Sequence, residues 1–216
     1  MLYLILVTMI LTGTGIGGYY WYQNTNYIKT EDARIAGDIY RVMPRTSGKI
    51  IDLDIKEGDI VSANQIIGQL DTANMSSGTF ENTALRSPIN GTVIKVLAKE
   101  GEVVSPSQPV AMIVDMNQLY ISANIEETEL NRVRVGQTVD FTVDSFPGHV
   151  LTGKVIEITE ASASTFSLLP AINTSGNFTK VTQRIPIKIS IDDQQGLQLF
   201  PGMSVVIKIH IKESKG

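Results

Sequence analysis

The run Lys56-Glu57-Gly58-Asp59-Ile60-Val61-Ser62 returns as Lys99-Glu100-Gly101-Glu102-Val103-Val104-Ser105, a constant 43 positions later. The same offset pairs Gly48 with Gly91, Gln65 with Gln108 and Leu70 with Ile113. A chain that repeats so short a unit builds one core from two copies, because neither copy can bury its apolar face alone. Charged, glycine and apolar positions all keep register, which a chance likeness between two hairpins does not produce.

Within each copy the pattern is that of short strands. Ile50, Ile51, Leu53 and Ile55 mostly alternate, Glu57-Gly58-Asp59 supplies a turn, and Ile60-Val61 and Ile66-Ile67 resume the apolar run. Gly58 and Gly101 stand where a tight turn favours positive φ, and Gly48 and Gly91 open each half after a polar residue. All four read as turn glycines of the repeat. Two such halves about a pseudo-twofold axis make a flattened β-sandwich, and the arrangement resembles a biotinyl/lipoyl-type domain. A carrier subunit of that type needs a lysine to acylate in the connection between the halves. Asp71 through Leu85 contains none, and Lys56 and Lys99, present twice at equivalent places, read as turn-flanking surface residues. The carrier reading survives only as a distant alternative, and no cofactor is expected.

From Met1 to Tyr22 the chain carries no charge, is rich in Leu, Ile and Val, and closes on Tyr19-Tyr20-Trp21-Tyr22. At 1.5 Å per residue such a helix covers about 33 Å, enough for a bilayer core of roughly 30 Å. The aromatic cluster suits a membrane interface and argues against a cleaved signal, the competing reading. Either reading exports the remainder of the chain, and with no Lys or Arg before Lys29 the positive-inside rule has nothing to count on the short side.

After the repeat, strands are predicted over Leu119–Ala123, Gln137–Val143, Val150–Ile158, Val181–Ile191 and Met203–Ile211, punctuated by Pro147-Gly148 and Pro201-Gly202. A short amphipathic helix is predicted over Glu126–Val133, acidic at its start and basic at its end. Strands with one small helix predict a β-barrel. The expected organisation is an anchor over 1–23, a linker and first strand over 24–43, and a lipoyl-like domain over 44–115, with halves 44–71 and 86–115 joined by 72–85. A barrel over 116–212 and a tail over 213–216 complete it, with flexible joints near Pro44 and Met116.

The chain has no cysteine, hence no disulfide and no thiol nucleophile, and its net charge of −4 is spread without a basic stripe, which makes nucleic acid a poor partner. His149 and His210 are the only imidazoles. His149 reads as a turn residue, and Asp52 and Asp54 read as solvent-facing strand residues. No catalytic or metal-binding set emerges.

Several segments together resemble the HlyD-type membrane fusion proteins, or periplasmic adaptors, and their EmrA-like branch in particular. Thr30-Glu31-Asp32-Ala33-Arg34 is similar to that family's lead-in, Pro44 to Gly48 opens the first lipoyl half, and Leu85-Arg86-Ser87-Pro88-Ile89-Asn90-Gly91 opens the second. Asn117-Gln118-Leu119-Tyr120 leads into the barrel, and the segment from Phe166 to Phe178 with Gln183-Arg184-Ile185-Pro186 carries the EmrA-like likeness. The resemblance implies a mainly β, non-catalytic adaptor of a multidrug exporter of major-facilitator type, anchored by one pass in the cytoplasmic membrane with its bulk outside, and self-associating. An adaptor of an ABC-type exporter is the near alternative.

Family members place an α-helical coiled-coil hairpin between the lipoyl halves, where this chain has only the polar connection from Thr72 to Ala84. Two explanations stay open: a cell with no outer membrane to reach, or a removed hairpin with Ser76-Ser77-Gly78-Thr79 as the join and an outer-membrane channel as the original partner. On sequence the second is favoured. For an interaction surface the residues are Phe166, Leu168, Leu169, Pro170, Ile172, Asn177, Phe178 and Arg184, a stretch too apolar for an ordinary solvated loop. It would dock on the transporter or line a passage, or else cap the barrel's own core.

Overall fold

Two separate cores account for most of the buried side chains. The computed structural model describes residues 2–71, 80–159 and 183–211, divided between one unit over Gly37–Leu119 and another made of the chain up to Ala36 with the chain from Tyr120 onward. Helix α1 spans Leu2–Asn26 and strand β1 spans Tyr27–Ala36. Among the described residues no helix is long and apolar enough to cross a membrane. The side chains of α1 that are described include Met9–Tyr19, where Gly13, Gly15, Gly17 and Gly18 dilute the apolar run.

The middle unit holds β2 (Ile39–Val42), β3 (Gly48–Leu53), β4 (Ile60–Val61), β5 (Ile66–Leu70), a helical turn α2 (Phe80–Thr83), β6 (Ala84–Arg86), β7 (Gly91–Val96), β8 (Val103–Val104) and β9 (Ala111–Val114). They form two four-stranded sheets, ordered β2-β9-β7-β4 and β6-β5-β3-β8. Moving 43 residues along the chain exchanges β3 with β7, β4 with β8 and β5 with β9, so each sheet is the other's image and each half contributes to both.

The core obeys the same rule: Val42 and Leu85, Ile50 and Val93, Ile55 and Ala98, Val61 and Val104, Ile67 and Val110, and Leu70 and Ile113 are all buried together. Backbone bonds repeat as well. Gly58 N–H donates to the Val93 carbonyl at 2.8 Å and Gly101 N–H donates to the Ile50 carbonyl at 2.8 Å, each half holding the other's turn. Within the turns the Asp59 carboxylate accepts from Lys56 N–H (2.7 Å) and the Glu102 carboxylate from Lys99 N–H (3.1 Å), which explains the acid at that position.

Gly58 and Gly101 have φ of +96° and +85°, as a turn of this kind requires. Gly48 and Gly91 differ from expectation: they are the first residues of β3 and β7, not turn residues. Glycine is needed at 91 for space, since a Cβ there would lie 2.5 Å from the Val114 carbonyl oxygen and 2.9 Å from Ile113 Cγ2. The expected domain over 44–115 is also too short. It gains β2 at its start, so the chain changes unit after Ala36 and after Leu119 rather than at Pro44 and Met116.

The other unit is a closed six-stranded antiparallel barrel, made by β1 with β10 (Tyr120–Glu126), β11 (Thr138–Val143), β12 (Leu151–Ile158), β13 (Arg184–Ser190) and β14 (Ser204–His210), in the order β1-β10-β13-β12-β11-β14. Alternate residues point inward: Ile121, Ala123 and Ile125; Val139, Phe141 and Val143; Ile185, Ile187 and Ile189; Val205, Ile207 and Ile209 are all buried. Burying each such Ile or Phe is worth roughly 1.5–3 kcal/mol, so these residues rather than surface ion pairs hold the barrel.

Strand β1, expected from sequence within a linker and first strand over 24–43, is a full wall strand of the barrel between β10 and β14. Its inward positions change parity, from Ile28 to Ala33 and Ile35, because a register shift falls between Thr30 and Ala33. The predicted amphipathic helix is a six-residue 3-10 helix, Glu127–Arg132, closed by Val133 N–H donating to the Leu130 carbonyl at 3.1 Å. Three residues per turn brings Arg132 over Glu129, and the two form an ion pair. Residues 72–79, 160–182 and 212–216, which include most of the inter-half connection and the Phe166–Phe178 segment, lie outside the described residues.

Candidate interaction site at the helix-bearing end of the barrel

Of the residues singled out for an interaction surface, Arg184 alone is described; Phe166, Leu168, Leu169, Pro170, Ile172, Asn177 and Phe178 lie outside the described residues. Arg184 begins β13 on the barrel rim and its guanidinium pairs with the Asp32 carboxylate of β1. Both partners are about half exposed, so the pair contributes little to stability and mainly orients Arg184.

The rim around it is built by the β1 bulge. Thr30 Oγ1 donates to the Asn124 carbonyl at 3.2 Å and accepts from Asp32 N–H at 3.1 Å, bridging β1 to β10 where their regular pairing has ended at Ala33 and Ala123. The departure from pairing leaves a cavity of about 240 Å³ lined by Tyr27 to Thr30, Asn124 to Glu126, Glu129 and Arg184.

Three other elements reach the same end. Arg132 Nη2 donates to the Thr25 carbonyl at 3.0 Å, tying the 3-10 helix to the last turn of α1, and Ile211 N–H donates to the Asn26 carbonyl at 2.9 Å. Glu127 N–H donates to the Gln183 carbonyl at 2.9 Å, and Thr159 N–H to the Pro186 carbonyl at 3.1 Å. Gln183 and Thr159 are the residues that flank segment 160–182, so that segment leaves and rejoins the barrel at the end where α1 joins it.

Just around the rim, His210 Nε2 lies 2.7 Å from Asp140 Oδ2, the His210 ring meets Tyr27 edge-on at 5.0 Å, and Lys208 Nζ sits 3.8 Å from the Tyr27 ring centre. These contacts fix Tyr27, the first residue after α1. His149, by contrast, follows the Pro147-Gly148 turn, its N–H directed at the Phe146 carbonyl. Among the described residues no group of three His, Asp or Glu side chains is close enough to hold a metal.

Sequence reasoning missed Thr30, Asp32, Asn124 and Glu129 as parts of this rim. The signal available was the pair of adjacent acids, Glu31-Asp32, interrupting an otherwise alternating strand, which marks a bulge.

Comparison with known proteins agrees with this architecture domain by domain. Residues 38–116 match the family model of the RND MFP barrel-sandwich hybrid domain, and residues 118–210 match the AAEA-like beta-barrel domain. Over 187 residues, 87% of this chain and 81% of the relative, it is 39% identical to YhbJ of Bacillus subtilis, a protein named for an efflux system. The chain belongs to the EmrA-like membrane fusion proteins.

It is also 35% identical over 141 residues to the multidrug export protein EmrA of Escherichia coli. It spans 36% of that protein's length and 44% of the colistin resistance protein EmrA of Acinetobacter baumannii. Among solved structures, the membrane fusion protein Spr0693 of Streptococcus pneumoniae aligns with a TM-score of 0.62 at 16% identity over 86% of this chain and 99% of that one. The periplasmic adaptor EmrA aligns at 0.55 and 15%, over 86% and 98%. These likenesses establish a shared fold. The barrel match begins at residue 118 and so leaves out β1, which in this membrane fusion protein closes the barrel wall.

Proposed function

We propose that this membrane fusion protein is a non-catalytic adaptor of a multidrug exporter of the major-facilitator type, held in the cytoplasmic membrane by α1. The observation that carries the reading is the convergence at one barrel end of α1, the 3-10 helix, Arg184 and both flanks of segment 160–182. An anchor at that end puts Thr159 and Gln183, the described flanks of segment 160–182, on the membrane side of the barrel, where a transporter would be met. What supports the anchor is the absence of charge from Leu2 to Asn26 and the aromatic cluster Tyr19-Tyr20-Trp21-Tyr22; the apolar run of α1, diluted by glycine, does not by itself reach a full crossing.

The short connection is proposed as natural. YhbJ aligns over 81% of its own length without a long insertion being accommodated in this chain, which favours a short-form adaptor over one whose hairpin was removed. Such an adaptor serves export past a single membrane and needs no outer-membrane channel.

The test replaces Leu168 and Leu169 with Ser and measures folding, drug resistance in a strain lacking its own adaptor, and co-purification with a major-facilitator exporter. Retained folding with lost resistance and lost co-purification supports docking. Lost folding shows instead that these residues complete the barrel core, and co-purification with an ABC exporter alone would move the adaptor to that class.

A further inference from the structure

The sandwich carries a second feature that export does not require. All three arginines of the unit over Gly37–Leu119 line one cleft of about 240 Å³, with Val42, Met43, Asn64, Ala84, Ser87 and Pro88 as its other walls. The unit as a whole has more acidic than basic residues, and its four lysines lie elsewhere. Among the described residues no carboxylate lines the cleft.

Its position follows from the duplication. Arg41, Met43 and Arg45 share the cleft with Ala84, Arg86 and Pro88, each 43 positions on, so equivalent positions of the two halves line it, at and beside β2 and β6, the outermost strands of the two sheets. Each equivalent pair holds one arginine and one uncharged residue. The buried pairs of the core kept matching chemistry after duplication; these pairs did not, and the divergence concentrated charge at one point.

One of the three arginines is held in place. Arg86 is about three-quarters buried at its side chain, and its Nη1 donates to the Asn64 carbonyl at 2.9 Å. Its one carboxylate contact, Glu81 at 3.4 Å, is long and largely exposed. The side chains of Arg41 and Arg45 have no hydrogen-bond or ion-pair partner among the described residues. Arginines that line a small cleft suit the oxygens of a carboxylate or phosphate, which planar guanidiniums bind in pairs of parallel hydrogen bonds.

We infer that this cleft is a binding site for a small phosphate- or carboxylate-bearing anion. Arg86, fixed by Asn64, would position the anion, and Arg41 and Arg45 would close on it. Met43 and Pro88 offer apolar surface to whatever the anionic group is attached to. The inference does not depend on which exporter the adaptor serves.

The test is calorimetric titration of the full chain, in a neutral-headgroup detergent at low salt, with inorganic pyrophosphate and with citrate. The expected result is saturable one-to-one binding of at least one probe, weakened tenfold or more by Arg41→Gln with Arg45→Gln. Lys56→Gln with Lys99→Gln removes the same charge from the repeated turns and should leave binding unchanged. The tighter probe identifies the headgroup as phosphate or carboxylate. Absence of saturable binding, or equal weakening in both double variants, overturns the site. So does dissociation of an oligomer in the arginine variant without any probe binding, which would mean that the arginines hold a protein neighbour. Arg86→Gln adds a positioning test if it folds; the first double variant decides without it.

Discussion

In the sandwich, every buried pair from Val42 and Leu85 to Leu70 and Ile113 is one residue seen twice, whereas in the barrel no strand is a copy of another. The sandwich brings each half against its own image. The barrel brings Ala33 against Ala123, 90 positions away, and Tyr27 against His210, 183 positions away. One core is specified by repetition and the other by long-range closure, so damage to them should differ in kind.

The largest expected effect tests closure. Ile35, 1% exposed in β1, packs inside the barrel, and Ile35→Ala should cost about 2–5 kcal/mol. Hydrogen exchange on the full chain should show the loss in the barrel strands while protection at Ile50 and Val93 is kept. Equal loss in both units would break the comparison and make them one cooperative body.

The next effect tests how far the halves are alike. Gly91→Ala puts a Cβ against the Val114 backbone and should destabilise the sandwich by about 1–3 kcal/mol. Gly48→Ala comes closest to the Leu70 side chain, at 3.2 Å, with the Asp71 carbonyl oxygen at an ordinary 3.7 Å, and should cost about 1 kcal/mol or less by the same packing argument. Denaturant midpoints in the reverse order would show that the second half tolerates crowding better than the geometry allows.

Gly58→Ala and Gly101→Ala sharpen the comparison from the other side. Both have positive φ and room for a methyl group, so each should cost about 1–2 kcal/mol through backbone strain alone. The two should agree closely, and unequal values would show that one turn has taken on a role its twin lacks.

The smallest effect belongs to Arg184→Ala. Its exposed pair with Asp32 should contribute at most about 0.5 kcal/mol to stability. A measurable fall in drug resistance without a fall in thermal midpoint would place Arg184 in transporter docking.

These contrasts also explain what could be read from the chain. The offset of 43 exposed the sandwich because like chemistry recurs at like places, and strict alternation placed β11, β12 and β14 within a residue or two of their observed ends. A first strand is expected over 24–43, but the bounds of β1 and its place in the barrel wall were not legible, because its bulge interrupts the alternation at Glu31-Asp32 and its two partners lie far along the chain. The Arg184 pairing with Asp32 joins residues 152 positions apart, with no local pattern to announce it. The arginine cleft escaped for the opposite reason: Arg41, Arg45 and Arg86 occupy places where the repeat fails, and a search for sameness passes over them.

The placement of the sandwich between β1 and β10 has a consequence during synthesis. β1 leaves the ribosome before any of its partners exist, and at 5–20 residues per second β10 emerges on the order of ten seconds later. β14, the strand that seals the other edge of β1, is the last of the six barrel strands in chain order. The sandwich, complete by Leu119, can fold while β1 is still an unpaired edge, so the nascent adaptor assembles from its middle outward and closes its barrel only once the final strand has been made.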